Sequence, residues 1–111
     1  MTTLTLYGIA NCEACRKARQ ALESRGCSSC FHDLRRDGLD RLLLERMVTD
    51  LGWENLLNRR SATWRALPEP IRTPLERERA LELMLEHPTL IKRPVVERAG
   101  RFFLGLGDLL P

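Results

Sequence analysis

The stretch "TLTLYGIANCEACRKARQALESRG" (residues 3–26) decides the fold, because a strand, a cysteine-containing turn and a helix are predicted in direct succession. Leucines alternate with threonines at its start, which is the period of a β-strand, and Gly8 ends that run. Over residues 13–25 small or apolar residues return every three or four positions, as on one helical face, and Gly26 can stop the helix. "CFHDL" (residues 30–34) adds a second strand, so we predict a parallel pair joined by a right-handed crossover.

Two cysteines stand where the first strand passes into the helix. Free N–H groups and the helix dipole at that end favour an anion, so Cys12 is predicted to ionise easily. A free thiol has a pKa of about 8.5, and lowering it to about 7 requires about 2 kcal/mol. Because a helix end typically supplies about 0.3–1 kcal/mol, a guanidinium or a second thiol must supply the rest. Arg16, one helical turn on from Cys12, is one candidate, and arginines from elsewhere in the chain are others.

Cys15 lies one turn further along the predicted helix. Its thiol could attack a mixed disulfide on Cys12 and release the reduced product, or it could simply pack as a small apolar residue. With Cys27 and Cys30 the pair could also form a four-cysteine zinc site. A helix over the intervening residues would separate the two pairs by about 18 Å, too far for one ion, so no metal is predicted. We assign no role to Cys27 and Cys30.

The rest of the chain is predicted to contain helices and a final hairpin. "GLDRLLLERMVTDLG" (residues 38–52) is predicted to be a helix with one apolar side. That predicted side comprises Leu39, Leu42, Leu43, Met47 and Leu51. "PEP" (residues 68–70) is predicted to break the chain, and the next helix to begin at Pro74 with Thr73 as its cap. "RPVV" and "RFFLGL", separated by "ERAG" (residues 97–100), predict an antiparallel hairpin.

Composition excludes several classes of function. The chain has 111 residues, 43% of them apolar and 30% charged, the balance of one globular domain. A net charge of +3 and 5% aromatic residues argue against nucleic acid as the main partner. Apolar runs are too short to span a bilayer, and the N-terminus lacks a signal-peptide pattern, so we expect a cytoplasmic protein without membrane association.

Four segments resemble, in order, the ArsC/Spx family of thioredoxin-fold proteins, and within it the YffB-type branch. They are "LYGIANCEACRKARQAL", "FHDLRRDGLD", "LGWENLLNRRSATWRAL" and "ELMLEHPTLIKRPVV". The resemblance implies an α/β, thioredoxin-like fold with a helical insertion, the ArsC-like arrangement. It predicts a single domain over residues 1–111, with a thioredoxin-like part at 1–35 and 73–111 and the insertion at 36–72.

The resemblance also implies site residues. Cys12 matches the family's nucleophile, and Arg93 in "IKRP" matches an arginine that binds the oxyanion. Pro94 matches the proline before the third strand, which is often cis in thioredoxin-like folds. A further arginine is expected from "NRRSATWR", with Arg60 as the choice and Arg59 as the alternative. Guanidinium groups bind oxyanions and carboxylates bidentately and lower the pKa of a nearby thiol.

Function follows from the same resemblance. The leading prediction is a cytosolic, glutathione-coupled thiol reductase with Cys12 as nucleophile and no bound cofactor, acting on a disulfide or a small oxyanion. One alternative is an arsenate reductase that uses glutathione or glutaredoxin, although the family's further arginine near the last strand has no match in "RFFLGLGD". The other is an Spx-like redox switch that binds the α subunit of RNA polymerase, since Spx proteins carry the CxxC pair.

Overall fold

A computed structural model of the chain describes residues 3–109, and these fall into two compact units. The first unit joins the residues up to Gly38 with those from Arg93 onward, and the second comprises Leu39–Lys92. The second unit therefore extends about 20 residues beyond the C-terminal end of the predicted helical insertion, 36–72. That these units form a single domain stays a prediction.

The first unit is built on a mixed sheet. Its strands, among the residues described, are β1 (Leu4–Gly8), β2 (Ser29–Asp33), β3 (Val95–Arg98) and β4 (Arg101–Leu104). They lie in the order β2-β1-β3-β4, with β1 parallel to β2 and antiparallel to β3, and with β3 antiparallel to β4. Helix α1 (Glu13–Ser24) connects β1 to β2. The predicted parallel pair with a helical crossover and the predicted antiparallel hairpin are both confirmed.

One face of this sheet packs against α1. Ala18 and Leu22 of the helix form a buried cluster with Leu4, Leu6 and Val96 of the strands. The alternation in β1 places both leucines on the helix side, as the sequence pattern predicts. Full burial of each leucine contributes about 1.5–3 kcal/mol to folding, so this cluster fixes α1 on the sheet.

The second unit is helical. Its helices, within the described range, are α2 (Arg41–Leu51), α3 (Trp53–Leu56), α4 (Ala62–Ala66), α5 (Glu69–Arg72) and α6 (Arg77–Glu86), and a 3-10 turn follows at Pro88–Leu90. Asp40 caps α2, because its side chain accepts a hydrogen bond from the Leu43 N–H at 2.8 Å. No helix in residues 3–109 is both long enough and apolar enough to cross a membrane.

One prediction about these helices is confirmed and another is wrong. The predicted break at "PEP" is confirmed, because α4 ends at Ala66, Leu67 is extended, and α5 begins as a separate helix after Pro68. Pro70 lies in the first turn of α5, where proline is tolerated. The predicted helix start at Pro74 fails because Thr73 ends α5 in an extended conformation. Helix α6 begins only at Arg77, with no side-chain hydrogen bond from its cap.

The predicted apolar side of α2 is also partly wrong. Leu42 is 70% exposed, whereas Leu44, Met47 and Val48 are buried. Three consecutive leucines at 42–44 are compatible with more than one helical face. The buried set follows the spacing of three and four residues that a helix requires.

The hairpin is tighter than predicted. Glu97 and Arg98, expected in the turn, belong to β3, and only Ala99 and Gly100 connect the strands. Both turn residues have positive φ, 51° at Ala99 and 81° at Gly100. Two-residue hairpin loops of this kind prefer Asn-Gly, because a Cβ in the left-handed region is strained.

Replacing Ala99 by Asn is therefore expected to stabilise the protein by about 0.5–1 kcal/mol, since asparagine tolerates the left-handed conformation. Urea unfolding followed by circular dichroism measures the change. Gly100→Ala is the matched variant of opposite sign and is expected to destabilise the protein. An Ala99→Asn midpoint at or below that of the wild type contradicts the strained turn.

Candidate active site

Cys12 lies in the connection between β1 and α1, at the N-cap position of the helix. Its backbone is extended, with φ −143° and ψ 120°, and its carbonyl accepts the first helical hydrogen bond from the Arg16 N–H at 3.0 Å. Its half-buried side chain makes no regular capping hydrogen bond. The thiol therefore stands at the positive end of the helix dipole, with the first-turn N–H groups close to it.

The surroundings of Cys12 lower the pKa of its thiol. Burial acts in the opposite direction, because it disfavours the thiolate. The backbone N–H of Cys15, the Cys15 thiol, the positive charge of Arg93 and the backbone N–H of Ala14 outweigh burial together. The helix end predicted from the sequence is thus joined by a second thiol and a guanidinium, as the energy estimate required.

Cys15 has the opposite character. It lies in the first turn of α1 with 1% of its surface exposed. The pKa of its thiol is raised to about 11, chiefly by burial and also by the adjoining Cys12, while the Ile9 backbone and the Arg93 charge act in the opposite direction. At neutral pH the pair accordingly consists of a more acidic thiol at Cys12 and a buried, protonated thiol at Cys15 that hydrogen-bonds to it.

Gly8 makes room for this pair. A Cβ on Gly8 would overlap the Sγ of Cys15, and it would also touch the Cys15 Cβ and the Phe31 ring at 3.4 Å each. The sequence pattern explained Gly8 only as the end of a strand. The signal that could have revealed its role is its position: Gly8 follows Leu4 and Leu6 on the side of β1 that faces α1.

Arg93 and Pro94 directly precede β3, in the same unit as the cysteines. The Arg93–Pro94 peptide bond is cis, and the Pro94 carbonyl accepts a hydrogen bond from the Gly105 N–H at 2.9 Å. The Arg93 charge lowers the pKa of both thiols. Three predicted site residues, Cys12, Cys15 and Arg93, thus interact within the first unit, and Pro94 follows Arg93 in the chain.

Three other arginines predicted as candidates for the site have different surroundings. Arg16 forms an exposed ion pair with Glu13, one helical turn away, with Nε donating at 3.0 Å. Arg60 lies in the second unit, where its N–H donates to Asn58 Oδ1 at 3.1 Å. The guanidinium of Arg59 lies over the Trp64 ring, 5.8 Å from its centre. Oxyanion binding by Arg60, or by Arg59 in its place, stays a prediction.

All four cysteines carry free thiols. Cys27 is half-buried against the α1 cluster, and Cys30 is exposed on β2. In the part of the chain that the structure describes, no three His, Cys, Asp or Glu side chains are grouped so that they could hold a metal ion.

Comparison with known proteins places the chain among relatives of the same fold. The ArsC family model matches residues 7–108. An uncharacterised protein of Haemophilus influenzae is 40% identical over 95% of this chain and 92% of its own. The global transcriptional regulator Spx of Streptococcus pneumoniae is 25% identical over 95% of this chain and 80% of its own.

Solved structures agree with the sequence comparison. A YffB protein superposes with a TM-score of 0.90 and 38% identity, over 97% of this chain and 99% of that one. An arsenate reductase (ArsC) related protein from Brucella melitensis has a TM-score of 0.81 and 45% identity, over 93% of this chain and 86% of its own. The predicted thioredoxin-like, ArsC-like fold and the resemblance to the YffB-type branch are confirmed.

Gly8→Ala is expected to destabilise the protein by about 1–3 kcal/mol, because the new methyl group must displace the Cys15 sulfur. The double variant Gly8→Ala/Cys15→Ala removes that sulfur and is expected to recover about half of the loss or more. Urea unfolding of both single variants and the double variant measures the coupling. Additive losses would show that the two residues do not compete for the same space.

Proposed function

This chain belongs to the ArsC family, and from that premise we propose that it is a cytoplasmic thiol–disulfide oxidoreductase with Cys12 as nucleophile and glutathione as reductant. The observation that carries the proposal is the lowered pKa of Cys12 beside the buried, protonated thiol of Cys15. A thiolate is the reactive form of cysteine, so this arrangement supports attack by Cys12 at neutral pH.

The proposed reaction has three steps. The Cys12 thiolate attacks one sulfur of a substrate disulfide, so a mixed disulfide forms and the other substrate sulfur leaves as a thiolate that takes up a proton. Cys15 then gives up its proton, attacks the Cys12 sulfur and releases the second substrate thiol, which leaves a Cys12–Cys15 disulfide. Two glutathione molecules reduce that disulfide and become glutathione disulfide. In the alternative route, one glutathione attacks the Cys12 sulfur and releases the second substrate thiol. A second glutathione then attacks the glutathione sulfur of the Cys12–glutathione disulfide, which frees Cys12 and forms glutathione disulfide, so Cys15 is not oxidised.

The surroundings of the pair suit this order of events. Cys15 is too deeply buried to meet a substrate directly, but it hydrogen-bonds to the sulfur that carries the mixed disulfide. Arg93 stabilises the attacking thiolate and can hold a carboxylate or oxyanion of the substrate. Arg60 is proposed as a second ligand for that anion. No cofactor is bound in this scheme, and glutathione or glutaredoxin supplies the electrons.

Two other functions have support from relatives. The Brucella melitensis protein, 45% identical, is described as arsenate reductase related, which supports arsenate as an alternative substrate. The Spx relatives are transcriptional regulators, and the Cys12–Cys15 pair supports a redox switch that binds the α subunit of RNA polymerase. We place both behind the thiol reductase, since the chain lacks a match for the additional ArsC arginine and its helical insertion is YffB-like.

The reductase is expected to reduce a generic disulfide such as hydroxyethyl disulfide in a glutathione-dependent assay, and Cys12→Ser is expected to abolish turnover. Cys15→Ser separates the two resolving routes: full turnover assigns resolution to glutathione, and a large loss assigns it to Cys15. Cys30→Ser, which alters an exposed thiol, is the control.

Arsenite release from arsenate identifies the second function, and oxidation-dependent capture of the polymerase α subunit identifies the third. Absence of glutathione-dependent disulfide turnover contradicts the proposed reductase.

Arg93→Gln is expected to raise the pKa of Cys12 and to lower its alkylation rate at pH 7 about two- to fivefold. The sign follows because the lost positive charge no longer stabilises the thiolate, so deprotonation shifts to higher pH. Iodoacetamide labelling from pH 5 to 9, read by mass spectrometry at Cys12, gives the pKa. Arg98→Gln removes the same charge from the end of β3 and is the matched control. Equal effects of the two substitutions contradict a specific role for Arg93.

A further inference from the structure

Asp33 is a buried carboxylate at the C-terminal end of β2, beside the end of β1 from which the chain leads to the cysteines. It is the last residue of β2, is paired in register with Gly8 of β1, and is 5% exposed. A turn follows it, in which the Asp37 N–H donates to the Asp33 carbonyl at 2.7 Å.

The two carboxylate oxygens of Asp33 accept hydrogen bonds from different segments of the chain. Oδ1 accepts hydrogen bonds from the N–H groups of Arg35 at 2.8 Å and Arg36 at 3.0 Å, which is a local Asx-type turn. Oδ2 accepts a hydrogen bond from the Ala10 N–H at 3.0 Å, 23 residues away in sequence. Ala10 stands two residues before Cys12, in the segment that carries the nucleophile from β1 to α1.

These bonds keep Asp33 ionised. The Arg36 N–H contributes most to lowering the pKa of the carboxyl against the opposing effect of burial, and the Arg35 and Ala10 N–H groups add to it. The turn alone would accept asparagine, whose single carbonyl oxygen can serve both local N–H groups. Only a carboxylate offers a second acceptor to Ala10, because the amide nitrogen of asparagine is a donor and would face a donor.

We infer that Asp33 is a positioning residue: through the Ala10 N–H it holds the segment before Cys12 so that the Cys12 sulfur stays against the first turn of α1 and Arg93. This inference rests on the proposed role of Cys12 as nucleophile and adds a residue that sets its reactivity without touching the substrate. Free movement of residues 9–11 would let the sulfur leave the N–H groups that stabilise its anion.

Asp33→Asn tests the inference, because it keeps the local turn and removes the bond to Ala10. The thiolate fraction of Cys12 at pH 7 is expected to fall about threefold or more, and the pKa to rise. The sign is diagnostic: a purely electrostatic effect of losing a negative charge would favour the thiolate and lower that pKa. Thiolate absorbance at 240 nm against pH, in a Cys27→Ser/Cys30→Ser background, gives the pKa, while urea unfolding reports stability separately.

Asp37→Asn is the matched control. Asp37 belongs to the same turn and carries the same charge, but its Oδ2 accepts the N–H of Asp33 at 2.9 Å and does not serve the cysteine segment. It is expected to change the thiolate fraction by less than about twofold. A Cys12 pKa that is unchanged or lowered in Asp33→Asn overturns the inference, as does an equal rise in Asp37→Asn.

A second variant covers the case in which Asp33→Asn does not fold. Asp33→Glu keeps the charge and moves the carboxylate by one methylene group, and it is expected to raise the Cys12 pKa in the same direction. If Asp33→Asn raises the pKa but the wild type shows no glutathione-dependent turnover, the positioning role stands and the proposed function fails. If the wild-type pKa is low and neither Asp33 variant moves it, only the positioning role fails.

Discussion

The close approach of the Cys15 sulfur to the backbone of Gly8 fixes where α1 begins on β1, and the reactivity of Cys12 depends on that start. With Cys15 seated against the strand, its own N–H and its thiol both lie beside the Cys12 sulfur. A helix end alone supplies about 0.3–1 kcal/mol to an adjacent anion. The space beside Gly8 allows the Cys15 thiol to hydrogen-bond to the Cys12 sulfur. Arg93, which precedes β3 of the same sheet, adds a positive charge that stabilises the Cys12 thiolate. The absence of a side chain at Gly8 therefore affects the pKa of Cys12, four residues further along the chain.

The two cysteines differ in burial, and this difference gives them different roles. Arg93 acts on both sulfurs and each thiol acts on the other, yet the pKa of Cys12 falls while that of Cys15 rises to about 11. The difference arises because Cys15 is almost completely enclosed, so its anion is poorly solvated, and because the negative charge that forms first on Cys12 opposes a second one. Such a pair has a defined order of reaction: the half-buried Cys12 sulfur reacts with a partner, and the enclosed Cys15 sulfur reacts only with the group bound to Cys12.

Local patterns predicted the strand–turn–helix–strand unit and the hairpin, because each depends on neighbours in sequence. They also placed Cys12 at a helix start, from which its lowered pKa followed. Contacts between distant segments could not be predicted in this way: the space at Gly8 depends on Cys15, and the second oxygen of Asp33 serves Ala10. Local signals also failed where two of them competed, as at Thr73, which has the features of a helix cap but ends the helix before it.

The charge balance of the site bears on the kind of substrate that it suits. Attack of a thiolate on a disulfide consumes one thiolate and releases another, so the negative charge at the site does not increase and one guanidinium beside Cys12 can accompany it throughout. Arsenate arrives as an anion next to a sulfur that must itself be ionised, and the repulsion between them has to be offset by several cations. The Arg93 guanidinium, in the first unit, is such a single cation beside Cys12. Reduction of arsenate needs further cations in addition to Arg93, and this difference in required charge is what separates the two reactions.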